Sequence, residues 1–364
     1  MVFVSLVLFS LSSLIHEALG AGDPAGIAAQ LGLTTSTVLP FPSESMAAGG
    51  DTTGYMKENW ALQGGISFGE KSLAFVNDPI DGSNSNSKSE KRRAMKRAST
   101  NSNNTNNSDS VVFSVAYDAG TYSHGTGGAQ FYSTFGGEAG FEAMLVSYDI
   151  AFDSDFDWVK GGKLAGIRGG PKLDSCSGGR QPTGSDCFSS RLMWRKDGDG
   201  EVYAYLPQQQ SLCDVEGITC NSDYGFSLGR GKFKYTAGQW QTVAVYSKMN
   251  NPPSEFNGET ALYFNGEQVF SFNNLKFRTS DVVKAGGMYF STFFGGSDRS
   301  WATPKMVHTY YRNFQMFGGA GTNSGGSSNS TSTSRPNSDD TSSNPTTSSK
   351  ETSTKSTSGS YTDI

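Results

Sequence analysis

Charge is scarce in this sequence, and neither sign dominates. Asp, Glu, Lys and Arg make up 17% of the 364 residues, and the formal net charge is -5. That excludes the strong basic bias of a nucleic-acid binder, so any anionic ligand has to be held by a local patch. Histidine is rarer still, and only His124 and His308 lie beyond the N-terminal leader. The four cysteines, Cys176, Cys187, Cys213 and Cys220, contain no CxxC pair. An even count inside one short span favours two disulfides over a zinc site. Long helical periodicity is missing, and past the N-terminus no apolar run is long enough to span a membrane.

What is abundant is Gly, Ser, Asn and aromatic side chains. The first 21 residues, apolar and ending in small residues, read as a secretory signal peptide without the usual basic start. From Ser83 to Asp109 the composition collapses into Ser, Asn and Lys around the basic run KSEKRRAMKR, which reads as a solvated insertion. Asn103 and Asn106 in that insertion, and Asn329 in the tail, occupy N-x-S/T sequons. After Phe317 the chain is a Ser/Thr-rich, mucin-like tail. The expected organisation is a signal peptide over 1–21, an N-terminal segment with the first strands over 22–82, and a disordered insertion over 83–109. The main domain follows over 110–318, with a disordered tail over 319–364. The chain is expected to be secreted or associated with a cell wall, and monomeric.

Between insertion and tail the pattern is all β. Val111–Tyr117, Phe141–Phe152, Gln239–Lys248, Gly287–Phe294 and Thr309–Phe317 alternate as strands. Glu259–Phe272 reads as a hairpin turning at Asn265-Gly266, the preferred type I′ pair. Many strands at short spacing imply a jelly-roll β-sandwich, whose concave sheet makes a natural groove for a polymer.

The most informative stretch is CFSSRLMWRKDGDGEVYAYLP, Cys187–Pro207. Its first strand sends Ser189, Arg191, Met193 and Arg195 to one face, and Phe188, Ser190, Leu192 and Trp194 to the other. Its second strand adds Tyr203 and Tyr205. The span GGKLAGIRGG contributes Lys163 and Arg168 among glycines, and YSHGTGGAQFY contributes His124. A Ser-His-Asp hydrolase is conceivable but no G-x-S-x-G elbow is expected, and paired-carboxylate glycoside hydrolysis is weakly supported because the acidic residues fall mostly in turns. The cluster suits β-elimination of a uronate. In that reaction a cation neutralises the carboxylate, a base takes the C5 proton, and an acid protonates the leaving oxygen. Arginine grips a carboxylate through two parallel hydrogen bonds, whereas lysine or tyrosine can move protons if its pKa is shifted. Neither metal nor cofactor is required.

The spans GGKLAG, CFSSRLMWR, EVYAYLP, YGFSLGRGKF, GQW, LYFNGEQV and FSTFFGGSDRSWATPK resemble polysaccharide lyase family fourteen, particularly its secreted fungal members. The likeness runs from about Trp60 to Phe317, omitting the basic insertion. It implies a β-jelly roll that cleaves a polyuronate such as alginate or glucuronan. It also implies catalytic positions at Lys163, Ser189, Arg191, Tyr203 and Tyr205. Arg168, Arg195, His124 and Lys305 are the further candidates for substrate binding. The AGIRGG segment, where family members often have a PGL-type continuation, is expected to alter a subsite. The alternative is a non-catalytic carbohydrate-binding jelly roll of the cell wall, or a structural glycoprotein of which the stalk is the working part.

Two local expectations are sharp. Disulfides are expected between Cys176 and Cys187 and between Cys213 and Cys220, each enclosing a short loop beside the hairpin. For Arg191 and Tyr205 to share a face, facing residue numbers must sum to an even value. A three-residue loop Gly198–Gly200, with Gly200 left-handed and Met193 opposite Tyr205, would satisfy this.

Overall fold

The computed structural model describes residues 22–82, 111–172 and 175–322. The leader, the basic insertion with Asn103 and Asn106, and the tail with Asn329 lie outside the described residues. In chain order the elements are α1 (Pro24–Gln30), β1 (Leu33–Val38), α2 (Gly50–Asn59), β2 (Leu62–Phe68), β3 (Leu73–Asn77) and β4 (Val111–Tyr117). Then follow β5 (Ala129–Thr134), β6 (Ala143–Phe152), β7 (Gly161–Gly169), β8 (Phe188–Arg195), β9 (Gly200–Tyr205) and β10 (Ile218–Cys220). The last are β11 (Phe226–Leu228), β12 (Gln241–Lys248), β13 (Gly258–Phe264), β14 (Glu267–Leu275), β15 (Ala285–Phe294) and β16 (Val307–Gly319).

They form two antiparallel eight-stranded sheets, the β-sandwich expected from the alternation. One runs β14-β13-β12-β6-β16-β4-β3, with β1 added on β16. The other, which carries the site, runs β10-β11-β9-β8-β7-β15-β5-β2. The main core lies between them. Phe188, Leu192 and Trp194 enter it from β8, and Phe290 and Phe294 from β15. The opposite face of the second sheet is therefore free to carry polar side chains.

The described residues before β2 form two helices and a strand. Helix α1 is capped by the Asp23 side chain, which accepts from the Gly26 amide at 2.6 Å, with proline in its first turn. Helix α2 delivers Met56 and the following Trp60, both fully buried, into the core. The Trp60 indole donates to the Pro40 carbonyl at 2.7 Å, and its ring meets Phe75 and Phe113 edge-on. At the far end the Thr322 amide still donates to the Leu31 carbonyl at 2.8 Å. The Asn265-Gly266 turn between β13 and β14 is as expected, with φ of 52° and 87°.

The β8–β9 hairpin corrects one expectation and keeps another. Ser189 faces Tyr205, Arg191 faces Tyr203 and Met193 faces Glu201, so the paired numbers do sum to an even value and the shared face holds. The loop, however, is Lys196–Gly198, not Gly198–Gly200, and Tyr205 lies opposite Ser189 rather than Met193. Asp197 and Gly198 take the left-handed positions at φ of 61° and 82°, and the Arg195 amide donates to the Asp199 carbonyl at 2.6 Å. Gly200 stays in the strand because the Phe233 ring lies against it. A Cβ there would come within 2.1 Å of that ring.

Candidate active site

Strand β7 sits between β8 and β15 and contains a bulge. Lys163 pairs with Met193, but Gly166 pairs with Arg191 and Arg168 with Ser189, a one-residue shift. Without it, Lys163 and Arg168, five apart, would point to opposite faces. The extra residue turns both toward the face that carries Ser189, Arg191 and Met193. Across the sheet this sets one row of Tyr203, Arg191, Gly166, Tyr289 and Tyr132. Gly166 has no side chain, so the Arg191 guanidinium reaches over it and lies 4.4 Å from the centre of the Tyr289 ring. Tyr289 in turn stacks on Tyr132 at 4.5 Å.

Arg191, Tyr289 and Tyr132 of this row line a cleft of about 840 Å³, together with Lys163, Met193, Tyr205 and His124. Arg191 is 1% exposed, and its Nε and Nη1 have no hydrogen-bond partner among the described residues. A buried guanidinium with open donors is costly unless something anionic completes it. Lys163 is half-buried. Its ammonium lies 4.0 Å from the centre of the Tyr203 ring and donates to Met193 Sδ at 3.1 Å, a weak acceptor. Burial first, then the nearby Arg191 and Arg195 guanidinium groups, hold Lys163 well below the ordinary lysine value, against a smaller opposing pull from Glu201.

The tyrosines move the other way. Burial chiefly, and then the neighbouring Tyr205, push Tyr203 up. Burial raises Tyr205 too, with the Gly179 amide and Arg191 opposing. Tyr289 is the exception. Burial pushes it up, but Arg191 and hydrogen bonds with Ser177, Tyr132 and Ser291 outweigh that and bring it below its ordinary value. Its hydroxyl donates to Gln130 Oε1 at 2.9 Å, as does that of Ser291.

Of the residues singled out in the sequence, Lys163, Arg191, Tyr205 and His124 come together in the cleft, and the Tyr203 ring packs beneath Lys163. Others fall elsewhere. Ser189 is fully buried, and its hydroxyl donates to the Cys176 carbonyl at 2.7 Å rather than pointing at a ligand. Arg195 is buried against Glu201, with Nε and Nη2 donating to Oε1 at 2.9 and 2.7 Å. Arg168 lines a second, smaller cavity of about 410 Å³ that shares Gln63 and Tyr132 with the cleft. Lys305 pairs with Asp155 outside the cleft lining. Gln130, Tyr132 and Tyr289 were not among the expected site residues. The strand holding Tyr289 was legible as Gly287–Phe294, but β5 was not, and nothing local tied either strand to β8.

Two G-x-S-x-G spans, Gly65–Gly69 and Gly225–Gly229, place their serines in β2 and β11 rather than at a strand-to-helix elbow. The Ser227 hydroxyl donates to Glu201 Oε2 at 2.6 Å. Both expected disulfides form, Cys176–Cys187 and Cys213–Cys220. The cluster of Cys176, Asp186 and Cys187 with metal-ligand spacing thus has its sulfurs bound to each other.

Glu201 is the electrostatic anchor beneath the site. Fully buried, it also accepts from Arg230 Nε at 2.6 Å. Burial works against its charge, but Arg195 and Arg230 outweigh that and hold it below the ordinary carboxyl range. Glu201→Gln would leave both guanidinium groups without a counter-charge. It is expected to cost about 3–5 kcal/mol, read as a lowered denaturant midpoint at unchanged slope.

Residues 105–314 match the family model described as Polysaccharide lyase 14. The chain belongs to that family. A marine alginate lyase from Aplysia kurodai has a crystal structure 30% identical in sequence to this lyase. The match has a TM-score of 0.59 and covers 77% of this chain and 98% of the other. The alginate lyase Aly36B, 21% identical with a TM-score of 0.54, covers 78% of this chain and 97% of its own. The alginate lyase vAL-1 from a Chlorella virus, 24% identical with a TM-score of 0.50, covers 59% and 87%. These last two share the fold. No curated protein matches the sequence. The lyase is thus a β-sandwich enzyme of the polysaccharide lyase class, and its cleft lies on the sheet face opposite the core.

Proposed function

We propose that the lyase cleaves a polyuronate by β-elimination without a metal, and that Lys163, Arg191 and Tyr205 carry the reaction. The observation that carries this reading is Arg191, a buried guanidinium with open donors, beside a lysine whose charge is suppressed. A uronate carboxylate completes the donors of Arg191, and its neutralisation acidifies the C5 proton. Lys163, neutral at working pH, takes that proton. Tyr205, kept protonated by burial, gives its proton to the departing glycosidic oxygen. The C5–H electrons form the C4–C5 double bond as the C4–O bond breaks. Two groups whose environments push their pKa values apart have divided the base and acid roles. Tyr203 supports Lys163 through its ring face, and His124 and Arg168 border the path of a longer chain.

Alginate is the first polymer to test, given the substrate named for the Aplysia relative. Secretion is supported by the two disulfides and the apolar leader. Among the described residues no helix is long and apolar enough to cross a membrane.

Incubation with alginate, glucuronan and other polyuronates should yield oligosaccharides bearing a conjugated C4–C5 double bond, read as rising ultraviolet absorbance. Saturated products only, or none from any polyuronate, would contradict elimination. Activity is expected to survive exhaustive chelation, since Arg191 neutralises the carboxylate. Loss on chelation with recovery on adding one divalent cation would overturn the metal-free reading.

A further inference from the structure

Residues 175–187, between β7 and β8, fold back over the cleft face of the hairpin and are closed by Cys176–Cys187 immediately before β8 begins. Cys176, Cys187, Met193, Tyr203 and Tyr205 form a buried cluster of their own, separate from the main core. Three groups tie this loop to the site. The Cys176 carbonyl accepts from the Ser189 hydroxyl, the Gly179 amide donates to the Tyr205 phenolic oxygen at 3.1 Å, and Ser177 is hydrogen-bonded to Tyr289. The backbone that aims the Gly179 amide is unusual. Cys176, Gly178 and Gly179 all lie at positive φ, at 59°, 59° and 82°. Glycine takes such angles freely, but Cys176 does not, so its conformation persists only where the surroundings fix it.

A phenol that accepts one N–H has that side of its oxygen occupied, and its own proton must point elsewhere. The N–H also stabilises the phenolate left after the proton departs. Both effects serve a general acid.

We infer that the loop closed by Cys176–Cys187 is a positioning element of catalysis: its Gly179 amide orients the Tyr205 hydroxyl, and Ser189 acts by anchoring Cys176 rather than by touching substrate. This rests on the proposed acid role of Tyr205. It assigns functions that the hairpin alone does not suggest. Ser189 becomes a positioning residue, and the disulfide, at the rim of the cleft, becomes part of the machinery.

The test uses the full chain, alginate oligosaccharides and three variants. Ser189→Ala and Cys176→Ala/Cys187→Ala should each lower kcat about tenfold to a hundredfold, the worth of one hydrogen bond to a developing charge, with KM nearly constant. With the amide displaced, Tyr205 becomes a weaker acid. The alkaline limb of the kcat profile should then move to higher pH in both. Cys213→Ala/Cys220→Ala, which removes a disulfide outside the cleft lining, should leave that limb in place. In a Tyr205→Phe background Ser189→Ala should add nothing further, since the group it positions is gone. If Ser189→Ala instead raises KM at full kcat, Ser189 binds substrate and the inference fails. If Tyr205→Phe is inactive while both loop variants keep wild-type kcat and limb, the inference fails and the proposed mechanism stands. If Tyr205→Phe keeps full kcat, the acid assignment falls and takes the inference with it. Should the cysteine variant fold poorly, Ser189→Ala and the double-variant cycle still decide the matter.

Discussion

Lys163→Ala is expected to lower kcat on a uronate oligosaccharide by about 10²- to 10⁴-fold, the usual worth of a positioned base. KM should change little. The reason is the division of labour in the cleft. Among the described residues Lys163 donates only to a thioether and rests on an aromatic ring, and the pull of Glu201 on its charge is the smallest of the influences acting on it. Burial and two arginines then favour the free amine. A lysine kept neutral contributes little to gripping a polyanion, and its loss should be felt where the proton moves. Steady-state kinetics of purified wild type and variant check this. A variant with full kcat and a raised KM would make Lys163 a binding residue and pass the proton transfer to a tyrosine.

Arg191→Met is expected to lower kcat by about 10²- to 10³-fold and yet to leave the fold at least as stable as before. Truncating a buried arginine usually orphans its partners. Here Nε and Nη1 have none to orphan, and the guanidinium contacts the Tyr289 ring instead. That contact returns part of the desolvation cost but not all of it. An apolar side chain of similar length should therefore gain about 1 kcal/mol or more. The same change removes a cation beside Lys163, so the lysine pKa rises and the residual activity shifts to higher pH. Thermal unfolding and kinetics on one preparation test both halves. A clear fall in Tm would show that Arg191 holds the sheet together rather than waiting for a ligand.

The sandwich was legible because the longer strands alternate, and in β8 that alternation even separated the core face from the cleft face residue by residue. The hairpin parity was legible as well, since it follows from which side chains must share a face. Its turn was misplaced for a reason outside the local sequence. Asp197-Gly198-Asp199-Gly200 offers several left-handed positions, and the choice is made by Phe233, from beyond β11, which needs Gly200 flat beneath its ring. Arg195 looked like a ligand-binding cation because its counter-charge, Glu201, comes from across the turn. Ser189 looked catalytic from the family resemblance, and the partner of its hydroxyl, the Cys176 carbonyl, lies in a loop that the strand pattern does not reveal. The β7 bulge left no sequence signal, although it is what brings Lys163 and Arg168 to one face. The helices before β2 are short, and the ten residues of α2 carry a weak apolar stripe that periodicity does not separate from loop.

The pH dependence of kcat/KM, measured on one uronate oligosaccharide for wild type and Lys163→Ala, tests the central claim most directly. A base must be deprotonated to act, so wild-type activity should rise with pH through the pKa of Lys163. That rise should lie well below the ordinary lysine range, because burial and the two arginines hold the group down. The residual activity of the variant should lack it. A wild-type rise only in the ordinary lysine range, or the same low limb persisting in Lys163→Ala, would contradict the account.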